Sequence, residues 1–167
     1  MKAYQISRVA LIAAAYAALT VALAPISYGP IQVRVSEALT VLAFVTPAAV
    51  PGLFLGCFIA NLVGGLGLVD VVLGSAATLA AALLTRRMPS PLLAPLPPVL
   101  VNAVVVGGYL SVLTRLPFIT TFLYVGFGQV LACYGLGYPL LLWAVRSDIL
   151  RRYFHENGKG NGNEGGQ

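Results

Sequence analysis

Six apolar segments, separated by short breaks rich in proline, glycine or charge, constrain the fold of this chain more than any other feature. A helix of about 20 apolar residues is long enough to cross the hydrocarbon core of a bilayer, and the breaks carry the residues that end helices. We therefore predict an all-α integral membrane protein with six transmembrane helices in a single domain, residues 1–152. The predicted helices cover residues 7–24, 36–45, 51–66, 69–85, 92–113 and 118–145.

Composition supports a membrane protein over a soluble one. The chain is 59% hydrophobic and 9% charged, whereas soluble domains are about 45–50% apolar and about 25% charged. Ten Lys and Arg residues against five acids give a net charge of +5. In a soluble protein that excess would suggest nucleic acid, but here the cations lie between apolar runs and are explained by contact with membrane lipid.

The distribution of positive charge predicts the orientation. With six spans, eight of the ten cations fall on the side of the two termini, and only Arg34 and Arg115 fall on the other side. Positive residues accumulate on the cytoplasmic side, so we predict cytoplasmic termini.

The second and third segments are short and their join, residues 46–52, is uncharged. This leaves a five-span chain with a broken or re-entrant helix as the alternative, although an odd count would separate Arg86 and Arg87 from the C-terminal arginines.

The two ends of the chain carry further signals. Lys2 and Arg8 precede an apolar run that ends in Ala22-Leu23-Ala24, the outline of a cleavable signal peptide. Because Pro25 follows the expected cleavage point and the rest of the chain is also apolar, we expect a retained first helix. Residues 153–167 are predicted to form a disordered cytoplasmic tail.

Cys57 and Cys133 lie within apolar segments and are expected to be buried and unbridged.

Several kinds of chemistry are absent from the sequence. There is no phosphate-binding loop for ATP, no nucleophile elbow and no paired aspartates, and the one histidine, His155, lies in the tail. We therefore expect no enzymatic activity, no metal site and no cofactor in this chain.

Two acids and one loop are candidate site residues on the outer side. Glu37 opens the second segment and Asp70 opens the fourth, where each is either a helix-start acid or a functional carboxylate. As a helix-start acid, Glu37 would pair with Arg34 three residues earlier. The outer loop also carries Tyr28 and Gln32, which a solvated turn does not require, although Tyr28 also suits a membrane interface.

Three amides lie inside predicted spans: Asn61, Asn102 and Gln129. One alternative is that they form hydrogen bonds between helices, worth about 1 kcal/mol each. Since Tyr109 and Tyr124 lie on the outer halves of the same two helices as Asn102 and Gln129, we favour the wall of a binding pocket.

The first segment has a row of small residues at every fourth position, which includes Ala10, Ala14 and Ala18. Such rows allow a second helix to approach closely. The partner is either a helix of this chain or a separate subunit.

Several stretches of the sequence resemble the QueT family. The resemblance covers about residues 5–145, and its most specific part is SYGPIQ at residues 27–32. It also includes residues 8–20, 24–42, 47–57, 94–102 and 124–129.

The resemblance implies a six-helix S-component, the substrate-binding subunit of an energy-coupling factor transporter in a prokaryotic plasma membrane. It implies an outward-facing site made by the first outer loop and helices four to six. The implied partners are a transmembrane T-subunit, which contacts the small residues of helix one, and two ATPases that use the ATP. Gln129 departs from the family pattern, which often has Glu at that position.

The implied substrate is a queuosine precursor, a 7-deazapurine such as 7-aminomethyl-7-deazaguanine or queuine. We expect Glu37 to accept hydrogen bonds from the guanine-like edge and Asp70 to neutralise the cationic arm. The amides of Asn61, Asn102 and Gln129 would orient the ring, and a tyrosine would stack on it. The alternatives are an S-component for another vitamin-like molecule and a facilitator that works without partners.

Overall fold

The regular secondary structure of the described residues is entirely helical. The computed structural model describes residues 3–28, 33–65 and 67–147, and among these it contains no strand. The all-α prediction is confirmed, while the predicted tail and the first two residues lie outside the described residues. A single helical turn, Ala24–Ser27, follows the first helix. Within the described residues, the apolar helices are α1 (Ala3–Ala22), α2 (Val35–Phe44), α3 (Ala49–Gly64), α4 (Asp70–Thr85), α5 (Leu96–Thr114) and α6 (Phe118–Arg146).

The helices differ in length. Within the described residues, α1, α5 and α6 are long and apolar enough to cross a membrane, whereas α2, α3 and α4 are shorter apolar helices. Helix α5 begins at Leu96 and not at the predicted residue 92. Pro97 and Pro98 follow directly, and proline is tolerated in the first helical turn because it lacks an N–H group.

Three helices depart from regular α geometry. Helix α2 is a 3-10 helix, α4 begins with a π-helical turn at Asp70–Gly74, and α6 contains a longer π-helical stretch at Leu131–Gly137. Such π-helical turns are frequent at functional sites. The two π-helical stretches contain Asp70 and Cys133, whose side chains both take part in the polar cluster described below.

Helix α1 packs against α3 through a contact that requires glycine. The buried face of α1 carries Ile12, Ala13 and Tyr16, and it meets Gly52 and Gly56 of α3. A Cβ atom at Gly56 would lie 2.7 Å from the Ala13 carbonyl oxygen and 2.7 Å from the Tyr16 Cβ atom. The glycines on this interface belong to α3, and Ala13 is the small residue that faces them from α1, in the arrangement that membrane helices use for close approach.

We expect Gly56→Ala to lower the free energy of unfolding by about 1–3 kcal/mol, because overpacking forces the backbone of α1 to move. Thermal unfolding in detergent measures the effect. Gly108→Ala is the matched control, since its nearest neighbour would be a ring carbon of Phe118 at 3.9 Å. That control should be neutral or slightly stabilising, because alanine favours a helix. Equal stability of both variants would contradict the close α1–α3 contact.

The remaining helices enclose the polar residues. Helix α5 packs on α4 and α6, and α2 packs on the π-helical stretch of α6. At that second contact, a Cβ atom at Gly137 would lie 2.9 Å from the carbonyl oxygen of Ala38. The interior between α1, α2, α3, α4 and α5 is where most of the sequence-predicted site residues meet.

Candidate functional site

Most of the residues predicted from the sequence are buried inside the helical bundle. Tyr28 is half-buried, Tyr124 is 45% exposed on α6, and Gln32 lies outside the described residues. Tyr124 is thus not brought to the other candidates. The buried candidates are Arg34, Glu37, Asn61, Asp70, Asn102, Tyr109 and Gln129.

Asp70 is the centre of one group of contacts. Nη2 of Arg34 lies 2.9 Å from Oδ1 and 3.2 Å from Oδ2 of Asp70, and the hydroxyl of Tyr109 donates to Oδ1. Nδ2 of Asn61 donates to the Asp70 carbonyl oxygen at 2.9 Å. The buried ion pair therefore joins the start of α2 to the start of α4, and α3 and α5 support it.

The pairing of Arg34 with Glu37, which the helix-start alternative for Glu37 included, is not among the ion pairs of the described residues. Arg34 precedes α2 in an extended conformation, with φ −82° and ψ 94°, so it does not continue the helical face that carries Glu37. Its guanidinium group pairs with Asp70. Because a buried cation must be compensated, Arg34 and Asp70 stabilise each other inside the bundle.

Glu37 is the centre of a second group of contacts. Its Oε1 atom accepts hydrogen bonds from the hydroxyls of Tyr16 at 2.6 Å and Thr78 at 3.1 Å. Its carbonyl oxygen accepts from Thr40 at 2.6 Å and lies 3.5 Å from the Cys133 Sγ atom. The donors to the Glu37 carboxylate are thus two neutral hydroxyls from α1 and α4.

Cys57 connects the two groups. Its Sγ atom lies 3.3 Å from Thr78 Oγ1, 3.5 Å from Asn61 Nδ2 and 3.9 Å from Arg34 Nη1. Sulfur is a weak acceptor. These contacts therefore help to position the side chains of Thr78, Asn61 and Arg34 more than they add to the stability of the fold. Cys57 and Cys133 are both buried and free, in agreement with the prediction of unbridged cysteines.

Tyr28 attaches the first loop to α3. Its hydroxyl donates to the carbonyl oxygen of Ala60 at 2.6 Å, and the Arg34 guanidinium carbon lies 5.8 Å from the centre of its ring. A Cβ atom at Gly64 would lie 2.3 Å from the Tyr28 ring, so this contact requires glycine. Burial raises the pKa of Tyr28, which keeps the hydroxyl protonated as a donor.

Several residues of the cluster were not predicted as site residues from the sequence: Tyr16, Thr40, Cys57, Gly74, Ser75, Thr78 and Cys133. Tyr16 shares the buried face of α1 with Thr20, one turn later, and that pair of polar residues in an alanine-rich helix was the available signal. Gly74 allows the cluster to close, because a Cβ atom there would lie 2.8 Å from Asn61 Nδ2 and 3.1 Å from Asp70 Oδ1.

Several buried polar atoms in this region have no hydrogen-bond partner among the described residues. Native proteins leave few such atoms unsatisfied, and each one calls for an explanation such as a bound group. Both donors and acceptors are present, which suits a small polar molecule. In the same described residues, no three His, Cys, Asp or Glu side chains are grouped to hold a metal ion. The atoms are Arg34 Nε, Glu37 Oε2, Asn61 Oδ1, Ser75 Oγ and Asn102 Nδ2.

Comparison with known proteins shows the family of this chain. The family described as QueT transporter matches residues 6–146. The "Queuosine precursor transporter QueT" of Lactococcus lactis subsp. cremoris (strain MG1363) is 42% identical over 80 residues, which is 47% of this chain and 47% of that relative. The alignment thus spans about half of the relative's length, and no solved structure matches the chain. Since the family match covers most of the sequence, the chain belongs to the QueT transporter family.

Proposed function

We propose that this protein is the substrate-binding membrane subunit of an energy-coupling factor transporter that imports a queuosine precursor. The observation that carries the proposal is the buried set of polar side chains on α2, α3, α4 and α5, several of whose atoms lack partners among the described residues. Polar groups at membrane depth are costly and mark substrate sites. The name of the Lactococcus relative supplies the substrate class.

The chemistry of the site suits a 7-deazapurine with a guanine-like edge. Glu37 and Asn61 present free acceptor atoms, while Asn102 and Arg34 present free donor atoms. A purine-like ring has both kinds of group around its edge, so one planar ligand can satisfy several of these atoms together. Two buried tyrosines reach this set, Tyr16 through its bond to Glu37 and Tyr109 through its bond to Asp70.

The exposed side of α1 supports a role as a subunit of a larger transporter. Ala10, Ala14 and Ala18 are all exposed, because α1 turns its other face towards α3. An uncovered row of small residues suits close packing by a helix of another protein. The proposed partners are a transmembrane T-subunit and two ATPases, which provide the energy that this chain has no motif to use.

Orientation follows from charge. Arg86 and Arg87, after α4, and Arg146, at the end of α6, are exposed, which suits contact with the cytoplasmic surface of a prokaryotic plasma membrane. With six spans and cytoplasmic termini, the starts of α2 and α4 lie towards the outer surface. The Arg34–Asp70 pair then stands at the outward-facing end of the site, where substrate enters.

The first test is to identify what the purified protein binds. We expect small-molecule mass spectrometry of the detergent-purified chain to find a copurifying 7-deazapurine. Calorimetry should then give saturable binding of 7-aminomethyl-7-deazaguanine or queuine and no binding of thiamine or riboflavin. Binding of another vitamin in place of these compounds would favour an S-component of different specificity. Uptake into liposomes that contain this chain alone would favour a facilitator.

A further inference from the structure

Two of the unpartnered atoms form a complementary pair. Glu37 Oε2 is an acceptor and Asn102 Nδ2 is a donor, and neither has a hydrogen-bond partner within the described chain. Glu37 is 1% exposed and Asn102 is 2% exposed. Thr78 of α4 donates to the other carboxylate oxygen of Glu37, and α4 packs on α5, the helix that carries Asn102. A free acceptor and a free donor thus lie in the same polar interior.

The two acids of the site are not equivalent. Both carboxylate oxygens of Asp70 are within hydrogen-bonding distance of Arg34, and Oδ1 also accepts from Tyr109. Within the described residues, Oε1 is the Glu37 carboxylate oxygen that has partners, and both are neutral hydroxyls. A buried carboxylate oxygen without a donor favours a ligand that brings an N–H group to it. Glu37 is therefore the acid that is free to bind a ligand.

We infer that Glu37 and Asn102 together recognise the cyclic amide edge of the ligand, and that Asp70 is a positioning residue. Glu37 Oε2 accepts the ring N–H, and Asn102 Nδ2 donates to the adjacent ring carbonyl oxygen. Asp70 holds Arg34 and Tyr109 in place and does not bind the cationic arm. This assignment rests on the proposed function, because it takes the ligand to be a 7-deazapurine.

The inference predicts discrimination between two closely related ligands. The first is 7-aminomethyl-7-deazaguanine, and the second is the same ring and arm with an amino group in place of the ring carbonyl. In the second ligand the donor and the acceptor on this edge are exchanged. Since each mismatched buried hydrogen bond costs at least about tenfold in affinity, the wild-type chain should prefer the carbonyl ligand by tenfold or more.

An exchange of the two side-chain types tests the assignment directly. Glu37→Gln combined with Asn102→Asp keeps one carboxylate and one amide in the site but reverses their positions. We expect calorimetry on the full chain in detergent to show that the preference falls to parity or reverses towards the amino ligand. Val104→Ala, at an exposed position of α5, is the matched control and should keep the wild-type preference.

A single substitution separates binding from folding. Because Nδ2 of Asn102 has no partner in the described chain, Asn102→Ala should leave the melting temperature of the ligand-free protein unchanged or higher. Its affinity for the carbonyl ligand should fall by about tenfold or more. A variant that loses stability and keeps its affinity would overturn the assignment of Asn102 to the ligand.

The outcomes distinguish this inference from the proposed function. If the wild-type chain binds neither ligand, the proposed function fails. If it binds both equally, or if Glu37→Gln and Asn102→Ala leave the preference unchanged, the inference fails while the proposed function stands. If Glu37→Gln weakens only ligands with a cationic arm and spares the neutral 7-cyano analogue, Glu37 binds the arm and the assignment is overturned.

Discussion

Ala14→Trp is expected to abolish substrate uptake by the assembled transporter and to leave binding of substrate by the isolated chain within about twofold of wild type. Ala14 lies on the exposed side of α1, between Ala10 and Ala18. An indole there would hold a partner helix away from the row of small residues, because such contacts depend on close approach of the two backbones. The site is spared since the face of α1 that carries Tyr16 is the opposite, buried one.

Uptake of labelled substrate is measured in cells or vesicles that contain the complete transporter, and binding is measured on the purified chain. Val112→Trp is the matched control, because Val112 is 79% exposed on α5 and belongs to no row of small residues. This control should transport normally. Normal uptake by Ala14→Trp would show that the exposed face of α1 is not the docking surface.

The helices of this chain were predictable from its sequence because apolar length and helix-breaking residues are local properties. The inward faces of the helices were much less predictable. In a soluble helix, polar residues mark the outer face, but lipid is as apolar as the protein interior and that contrast disappears. Tyr16 and Thr20 therefore mark one face of α1, but this pair does not indicate that Tyr16 contacts Glu37.

Tyr124 shows the same difficulty on α6. It was grouped with Gln129, yet five residues along a helix turn the side chain by about 140°. The structure accordingly buries Gln129 and exposes Tyr124. Helical spacing alone would have separated these two residues, even though it does not say which of them faces inward.

The partner of Arg34 could not be predicted from neighbouring residues, because it comes from another helix. The spacing between Arg34 and Glu37 suggested a local pair, but the residue before α2 is extended, and the start of α4 lies within reach. Side-chain type indicated that Asn61 and Tyr109 line the interior, where both are buried, but it placed Arg34 and Asp70 near the outer surface. Which of them bind one another, and which remain free, follows only from how the four helices pack.

Asp70→Asn is expected to lower the free energy of unfolding by roughly 3–5 kcal/mol, the cost of removing one partner from a buried ion pair. Arg34 is 3% exposed, and without the aspartate charge its guanidinium group would keep two weak contacts, with Cys57 Sγ at 3.9 Å and with the Tyr28 ring at 5.8 Å, neither of which carries a negative charge. Thermal or denaturant unfolding in detergent measures the loss. Tyr109→Phe is the matched control, since it removes one hydrogen bond to Asp70 and leaves the charges paired, at a cost of about 0.5–1.5 kcal/mol.

Replacing both partners separates the cost of an unpaired charge from the value of the pair. Arg34→Met combined with Asp70→Leu removes both charges and should be clearly more stable than Asp70→Asn, because apolar residues of similar volume often replace a buried pair without loss. The same double variant should lose substrate binding if the pair positions Tyr109 and the loop that carries Tyr28. Stability of Asp70→Asn within about 1 kcal/mol of wild type would show that Arg34 is compensated by other groups. Glu37, the other buried acid in the site, would then be the residue that neutralises it and would no longer be free for the ligand.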